Sequence, residues 1–183
     1  MTVEIVYETH AITEDNENGI ATGWLPGRLS ARGRVVAAEL GNRRRDDGLS
    51  AVFTSDLERA VETARIAFAG VGIPTFQDRR LRECDYGNLN GTALDEFPMP
   101  RSQFVGLPYP GGQSYGQVFE ATREFLSDLG DTWDGKRVLI IGHSAQRYAL
   151  RALLAGARLE DEIDAPFTWR PGWDFRLPAG TVQ

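Results

Sequence analysis

Apolar and polar positions alternate or recur along the chain in a way that marks out strands and helices. Val3, Ile5 and Tyr7 alternate with polar residues, which predicts a short strand ending at Thr9-His10-Ala11. The Asn-, Asp-, Glu-, Gly- and Thr-rich run after it is expected neither to continue the strand nor to build a helix. Ser30 can cap a helix running to about Arg45, with Val35, Val36 and Leu40 as its buried face. The charge run Arg43-Arg44-Arg45-Asp46-Asp47 is expected to end that helix in solvent. Ala51-Val52-Phe53 reads as a second strand. Thr54-Ser55-Asp56 then caps a helix through Ala69, with Leu57, Val61, Ala64 and Phe68 facing inward. Thr75-Phe76 is a short third strand. Residues 78–113 hold the proline-rich part of the chain and read as a compact lid within one domain. A helix follows from about Ser114 to Leu129. The unbroken apolar run from Arg137 to Ile141 predicts a strand buried on both faces. Gly142-His143-Ser144 turns into a helix through Leu154, and WRPGWDFRLP predicts an edge strand near the C-terminus. Strands alternating with helices imply an α/β fold, doubly wound about a mostly parallel sheet.

Composition narrows the partners more than the fold. The 183 residues fit one domain, and 42% hydrophobic with 25% charged residues is a globular balance. A net charge of −6 argues against nucleic acid and anionic membranes as partners. Cys84 is the one cysteine, so no internal disulfide can form and a cytoplasmic location is the simplest expectation. No basic segment followed by an apolar run opens the chain, and no stretch approaches the ~20 apolar residues of a membrane span.

The chain has two histidines, His10 and His143, and each stands at the C-terminal end of an expected strand. In a doubly wound sheet both ends open on the same edge, where such folds carry their chemistry. Two further stretches are expected at that edge. One is Ser55-Asp56-Leu57-Glu58-Arg59-Ala60, with Arg59 in the first turn of a helix. The other is Leu81-Arg82-Glu83-Cys84-Asp85-Tyr86-Gly87, after the third strand.

Taken in order, these pieces resemble the histidine phosphatase superfamily, also called phosphoglycerate mutase-like. Its Arg-His-Gly motif, with Thr and Asn beyond, corresponds to Thr9-His10-Ala11-Ile12-Thr13 and Asn16, followed by Thr22-Gly23-Trp24. Its Ser-Asp-Leu-x-Arg-Ala-x-Glu-Thr-Ala is matched from Ser55 to Ala64. Its Leu-Arg-Glu is Leu81-Arg82-Glu83, its Pro-Gly-Gly-Glu-Ser is Pro110-Gly111-Gly112-Gln113-Ser114, and its second histidine motif is Gly142-His143-Ser144. The resemblance runs from residue 3 to 155. It implies a three-layer phosphoglycerate mutase-like fold with a short lid.

It also implies a phosphatase acting on a small phosphorylated metabolite, with no cofactor and no metal. His10 would attack phosphorus and carry a phosphohistidine. Protonated His143 would hold the transferring oxygens, Arg59 would grip the phosphate as a fork, and Glu83 would serve as general acid and then base. Asn16, the backbone of Thr22 and Gly23, and the helix N-terminus at Ser144 would add donors. Two departures stand out: Thr9 replaces the arginine, one of the phosphate clamps, and Ala11 replaces the glycine. Arg147, one turn beyond His143, is the candidate to supply the missing cation, with Arg28 next. The short lid, with little positive charge beyond Arg101, favours hydrolysis over a mutase reaction. Phe97, Phe104, Tyr109 and Tyr115 could line an apolar wall or pack within the lid. Association into a homodimer is left open.

Three rival readings rest on the same residues. Gly142-His143-Ser144-Ala145-Gln146 resembles the nucleophile elbow of a hydrolase, but it ends in Gln146 and no histidine follows Ser144 as base. A zinc site from His10, His143 and Cys84 lacks ligand spacing. A weakened member that binds a phosphorylated ligand or partner has Thr9 as its support, while His10, His143, Arg59 and Glu83 are all retained.

Overall fold

The computed structural model describes residues 2–180. In chain order the elements are β1 (Thr2–Thr9), α1 (Glu14–Glu17), β2 (Ile20–Ala21), α2 (Ala31–Arg44), β3 (Ala51–Thr54), α3 (Glu58–Ala67), β4 (Thr75–Gln77), β5 (Thr92–Ala93), α4 (Tyr115–Thr132), β6 (Arg137–Gly142), α5 (Ser144–Ala155), α6 (Leu159–Asp164) and β7 (Trp173–Pro178). Five strands form one sheet in the order β4-β3-β6-β1-β7. Every pairing is parallel except β1 with β7, which closes the edge antiparallel.

Side chains alternate across β1 and build a core on each face. Val3, Ile5 and Tyr7 pack with Phe125, Leu126 and Leu129 of α4 and Leu150 of α5. Val6 packs with Leu40 of α2 and with Ala64 and Ala67 of α3. The sheet is thus the middle of three layers. The lid between β4 and α4 has a third cluster, in which Tyr86, Phe97, Phe104, Tyr109 and Tyr115 pack together. Of the two roles open to the lid aromatics, Phe97, Phe104, Tyr109 and Tyr115 take packing.

Several local expectations need correction. The run after His10 does contain structure. Thr13 accepts from the Asn16 N–H, and Asn16 Oδ1 accepts from the Thr13 N–H, which is enough to hold the single turn α1. β2 then pairs with β5 of the lid, so the first loop and the lid share a two-stranded ribbon. On α2 the buried residues are Gly33, Ala37, Leu40 and Gly41, while Val35 is exposed. The N-cap of α3 is Leu57, with no side-chain cap; Asp56 instead forms a bidentate pair with Arg82, both contacts at 2.6 Å. The charge run does not end α2 in solvent: Arg43 and Arg44 both bind the buried carboxylate of Glu8, at 2.9 and 2.7 Å. Among the described residues no helix is long and apolar enough to cross a membrane.

The two buried glycines of α2 let that helix press against its neighbours. A Cβ on Gly33 would stand 1.8 Å from the Ile12 carbonyl oxygen, two residues past His10; one on Gly41 would stand 2.1 Å from the Ala67 oxygen of α3. In an open helix Gly→Ala gains about 1 kcal/mol. Here each alanine forces backbone apart, and Gly41→Ala is expected to lose at least ~2 kcal/mol in urea unfolding. Unchanged or increased stability would show that α2 can shift at no cost.

Candidate active site

The register of two strands brings the histidines together. Thr9 stands opposite Gly142 in the β1–β6 pairing, and the His10 N–H donates to the Gly142 carbonyl at 2.9 Å. The two imidazoles, one residue beyond, lie with ring centroids 5.1 Å apart. His10 Nδ1 is 2.8 Å from the Ala11 carbonyl. A carbonyl can only accept, so Nδ1 carries the proton and Nε2 is left with its lone pair.

Arg59 comes from the first turn of α3 and is 2% exposed. Its Nη1 donates to the Leu25 carbonyl at 2.9 Å and its Nη2 to the Gly23 carbonyl at 2.8 Å. Gly23 thus contributes an acceptor that aims the guanidinium, through its carbonyl and not through the N–H expected as a phosphate donor. Its φ of +54° suits glycine, and a Cβ there would stand 1.8 Å from Asn90 Oδ1. Glu83 follows the third strand, as expected. One oxygen, Oε1, accepts from the Cys84 N–H at 2.8 Å and from the Ala145 N–H of α5 at 3.3 Å. The α5 N-terminus is therefore partly spent on Glu83.

These groups line one cavity of about 780 Å³ that includes His10, Asn16, Thr22, Gly23, Arg59, Glu83 and Ser144. His143 is fully buried directly behind, with Nε2 2.7 Å from Ser55 Oγ. The Thr22 hydroxyl donates to Asp15, so its side chain is already engaged. Arg147 is not on the cavity wall. Its guanidinium stacks 5.0 to 5.4 Å from the ring centroids of Tyr148, Phe167 and Trp173. Arg28 is exposed and also off the wall. The cations that do line it are Arg43, Arg59 and Arg101.

Several positioning residues escaped the sequence reading. Ser55 bonds His143. Thr63 accepts from the Ala11 N–H at 3.0 Å and donates to the Arg59 carbonyl at 2.7 Å, tying the His10 loop to α3. Gln146 accepts from the His143 N–H at 3.1 Å, and its Nε2 donates to the Arg82 carbonyl. Trp24 Nε1 donates to the Glu83 carbonyl at 2.6 Å. Ser55, Thr63, Gln146 and Trp24 all lie in the quoted motifs, but only the folded structure says what they touch.

The electrostatics follow from burial. Desolvation, then the Arg59 charge, pushes the His10 pKa down to about 3. Desolvation, Arg59 and His10 hold His143 well below its ordinary value, so the free site favours neutral imidazoles; the protonated His143 expected above belongs to the phosphate-bound site. Glu83 moves upward, because desolvation outweighs its two backbone donors and Arg59. Cys84 packs in the lid core, where burial pushes its thiol up. Among the described residues no group of three His, Cys, Asp or Glu side chains is placed to hold a metal ion.

Residues 9–167 match the model of the histidine phosphatase superfamily (branch 1). The chain belongs to that superfamily. Within it, phosphoglycerate mutase-like protein 4 of Arabidopsis thaliana is 30% identical over 167 residues, covering 85% of this chain and 71% of the relative. Bacillus stearothermophilus YhfR is a close structural likeness, with a TM-score of 0.82 and 29% identity over 92% of this chain and 88% of that one. A mycobacterial glucosyl-3-phosphoglycerate phosphatase, Rv2419c, shares the fold at a TM-score of 0.76, with 22% identity over 89% of this chain and 84% of that one. The histidine phosphatase match begins at Thr9 and spans all the candidate site residues, from His10 to Arg147.

The depressed His10 pKa has a consequence for stability. Between about 3 and the ordinary 6.5, His10 takes up its proton in the unfolded chain and not in the native one. The stability gained by keeping it neutral is full above 6.5 and is lost as the pH falls toward 3. Glu83, with a raised pKa, works in the opposite sense: its contribution is full below the ordinary carboxylate value and declines as the pH rises through the native one. Comparing wild type with His10→Gln separates the two. In urea unfolding, wild type should lose about 2 kcal/mol more than His10→Gln between pH 7 and pH 5. Equal losses would mean that His10 protonates freely in the native site.

Proposed function

We propose that the chain is a phosphatase that hydrolyses a small phosphomonoester through a phosphohistidine on His10. The observation that carries this reading is the tautomer of His10. With Nδ1–H held by the Ala11 carbonyl, Nε2 keeps the ring's free lone pair, and His10 lines one cavity with Arg59 and Glu83. A neutral, fixed imidazole is the nucleophile that phosphoryl transfer requires, and its low pKa keeps it unprotonated at working pH.

In the first half-reaction His10 Nε2 forms the bond to phosphorus as the bond to the ester oxygen breaks. Glu83 gives its proton to the departing alkoxide; its raised pKa keeps that proton available. In the second half, water attacks the phosphohistidine, Glu83 takes the water's proton, and phosphate leaves His10. Arg59, buried and already oriented, neutralises the equatorial oxygens. A bound phosphate dianion also reverses the field at His143, since the Arg59 charge that disfavours its protonation is then balanced. Each proton and each bond is assigned to a side chain, so the reaction is expected to need no metal. A phosphomutase would share the first half-reaction and differ in keeping water out of the second. The name of the Arabidopsis relative keeps that alternative open, and Thr9 at the clamp position supports a weakened, ligand-binding variant.

Hydrolysis of 4-nitrophenyl phosphate should survive EDTA, and His10→Ala should abolish both turnover and acid-labile labelling of the protein. A requirement for added Mg²⁺ or Zn²⁺ would refute the mechanism. Glu83→Gln should cost roughly 10²–10⁴ in kcat/KM, which reads the first half-reaction alone, on an alkyl phosphate and far less on a nitrophenyl ester, whose phenolate leaves unaided. An equal loss on both would remove Glu83 from the acid role.

A further inference from the structure

The cavity has an arm that the phosphate chemistry does not use. β7 pairs with β1 only as far as Tyr7, which stands opposite Trp173. Glu8 and Thr9 are left without a strand on that side, and residues 166–172 cross there as irregular backbone. Facing that gap, α2 presents Val36, Leu40 and Arg43 on one face, spaced i, i+4 and i+7. Phe167 and Trp169 line the cavity from the crossing segment, each 55% exposed. The arm is thus apolar along its walls, beginning beside His10 and ending at a guanidinium.

Arg43 has donors to spare. Its Nη2 bonds Glu8 Oε2 at 2.9 Å, and the other Glu8 oxygen is taken by Arg44 at 2.7 Å. Its Nε is buried with no acceptor, and its guanidinium lies 5.9 Å from the Trp169 ring centroid. Exposed aromatic surface at a cavity mouth and unspent charged donors at its end both point to a ligand.

We propose that this arm seats the organic part of the phosphomonoester, and that Arg43 donates to a carboxylate on it. The substrate class is a phosphate ester of a hydroxy acid with an aromatic or branched apolar body. The body lies between Val36 and Leu40 on one side and Phe167 and Trp169 on the other. A charged acceptor suits Arg43 because ionised hydrogen bonds in a partly buried site are the strong ones. The reach is suitable, since Glu8 lies two residues before His10, roughly 7 Å along a strand and close to the span of a para-substituted benzene ring. The proposal rests on the phosphatase reading for the place of the phosphate.

The test is calorimetric titration with benzylphosphonate and 4-carboxybenzylphosphonate, neither of which can be hydrolysed. Wild type should bind the carboxylated compound at least ~10-fold more tightly, the worth of one charge-assisted hydrogen bond. Arg43→Gln should bring the ratio to within about 3-fold, and Trp169→Ala should weaken both ligands together. Should Arg43→Gln fail to fold with Glu8 left unpaired, the double variant Glu8→Gln/Arg43→Gln removes both charges. No preference in wild type, or a preference that survives loss of Arg43, overturns the proposal. So does an equal loss of both ligands in Arg43→Gln, which would place the arginine on the phosphonate. Turnover of 4-nitrophenyl phosphate by the same wild-type sample tests the phosphatase reading separately: a selective but inactive protein keeps the arm and refutes the phosphatase.

Discussion

The site depends first on the parallel pairing of β1 with β6. With Thr9 opposite Gly142 and the His10 N–H bonded to the Gly142 carbonyl, two chain positions 133 residues apart leave the sheet side by side. A slip of β1 by one residue would turn its side chains to the wrong faces. It would also empty the core, since Val3, Ile5 and Tyr7 pack against α4 while Val6 packs against α2 and α3. The hydrophobic register that stabilises the fold and the register that joins the histidines are the same.

The second constraint is the buried positive charge of Arg59. Among the described residues no carboxylate lies within ion-pair distance of it, and its donors are turned to the carbonyls of Gly23 and Leu25. A buried guanidinium held by neutral acceptors leaves a field that an anion can answer. Desolvation, and after it the same field, disfavours the charged form of both histidines in the free site. Glu83 completes the arrangement from the other side, its carboxyl inclined to stay protonated at the mouth of the α5 helix. Polar groups this deeply buried work against stability, and the layers above and below the sheet must supply the difference.

Much of this could be read from the residues. The strand ending at His10, the apolar run before His143 and the helix turn bearing Arg59 follow from periodicity, and their order makes a mostly parallel sheet. His10, Arg59, Glu83 and Ser144 were named from motif and spacing, and the fold brings them to one cavity. The sequence was less informative where a side chain has two plausible partners. Gly23 turns a carbonyl to Arg59, Asp56 leaves the helix cap for Arg82, and Arg147 lies among aromatic rings. Arg43 and Arg44, read as a solvated helix end, close on a buried glutamate of a strand.

The order of residues alone marked out which segments form strands and helices, because the period of apolar residues is a local property, but not every buried face: α2 turns Val35 to solvent. It also determined which residue types are available for phosphoryl chemistry. The tertiary structure decided which tautomer His10 adopts, which donors are already spent, and where the cavity extends beyond the phosphate. Those depend on contacts between Ala11 and Thr63, Glu8 and Arg43, or Tyr7 and Trp173. Such pairs are distant in the chain and leave no periodic trace; they come into being only when the strands pair and the helices close over them.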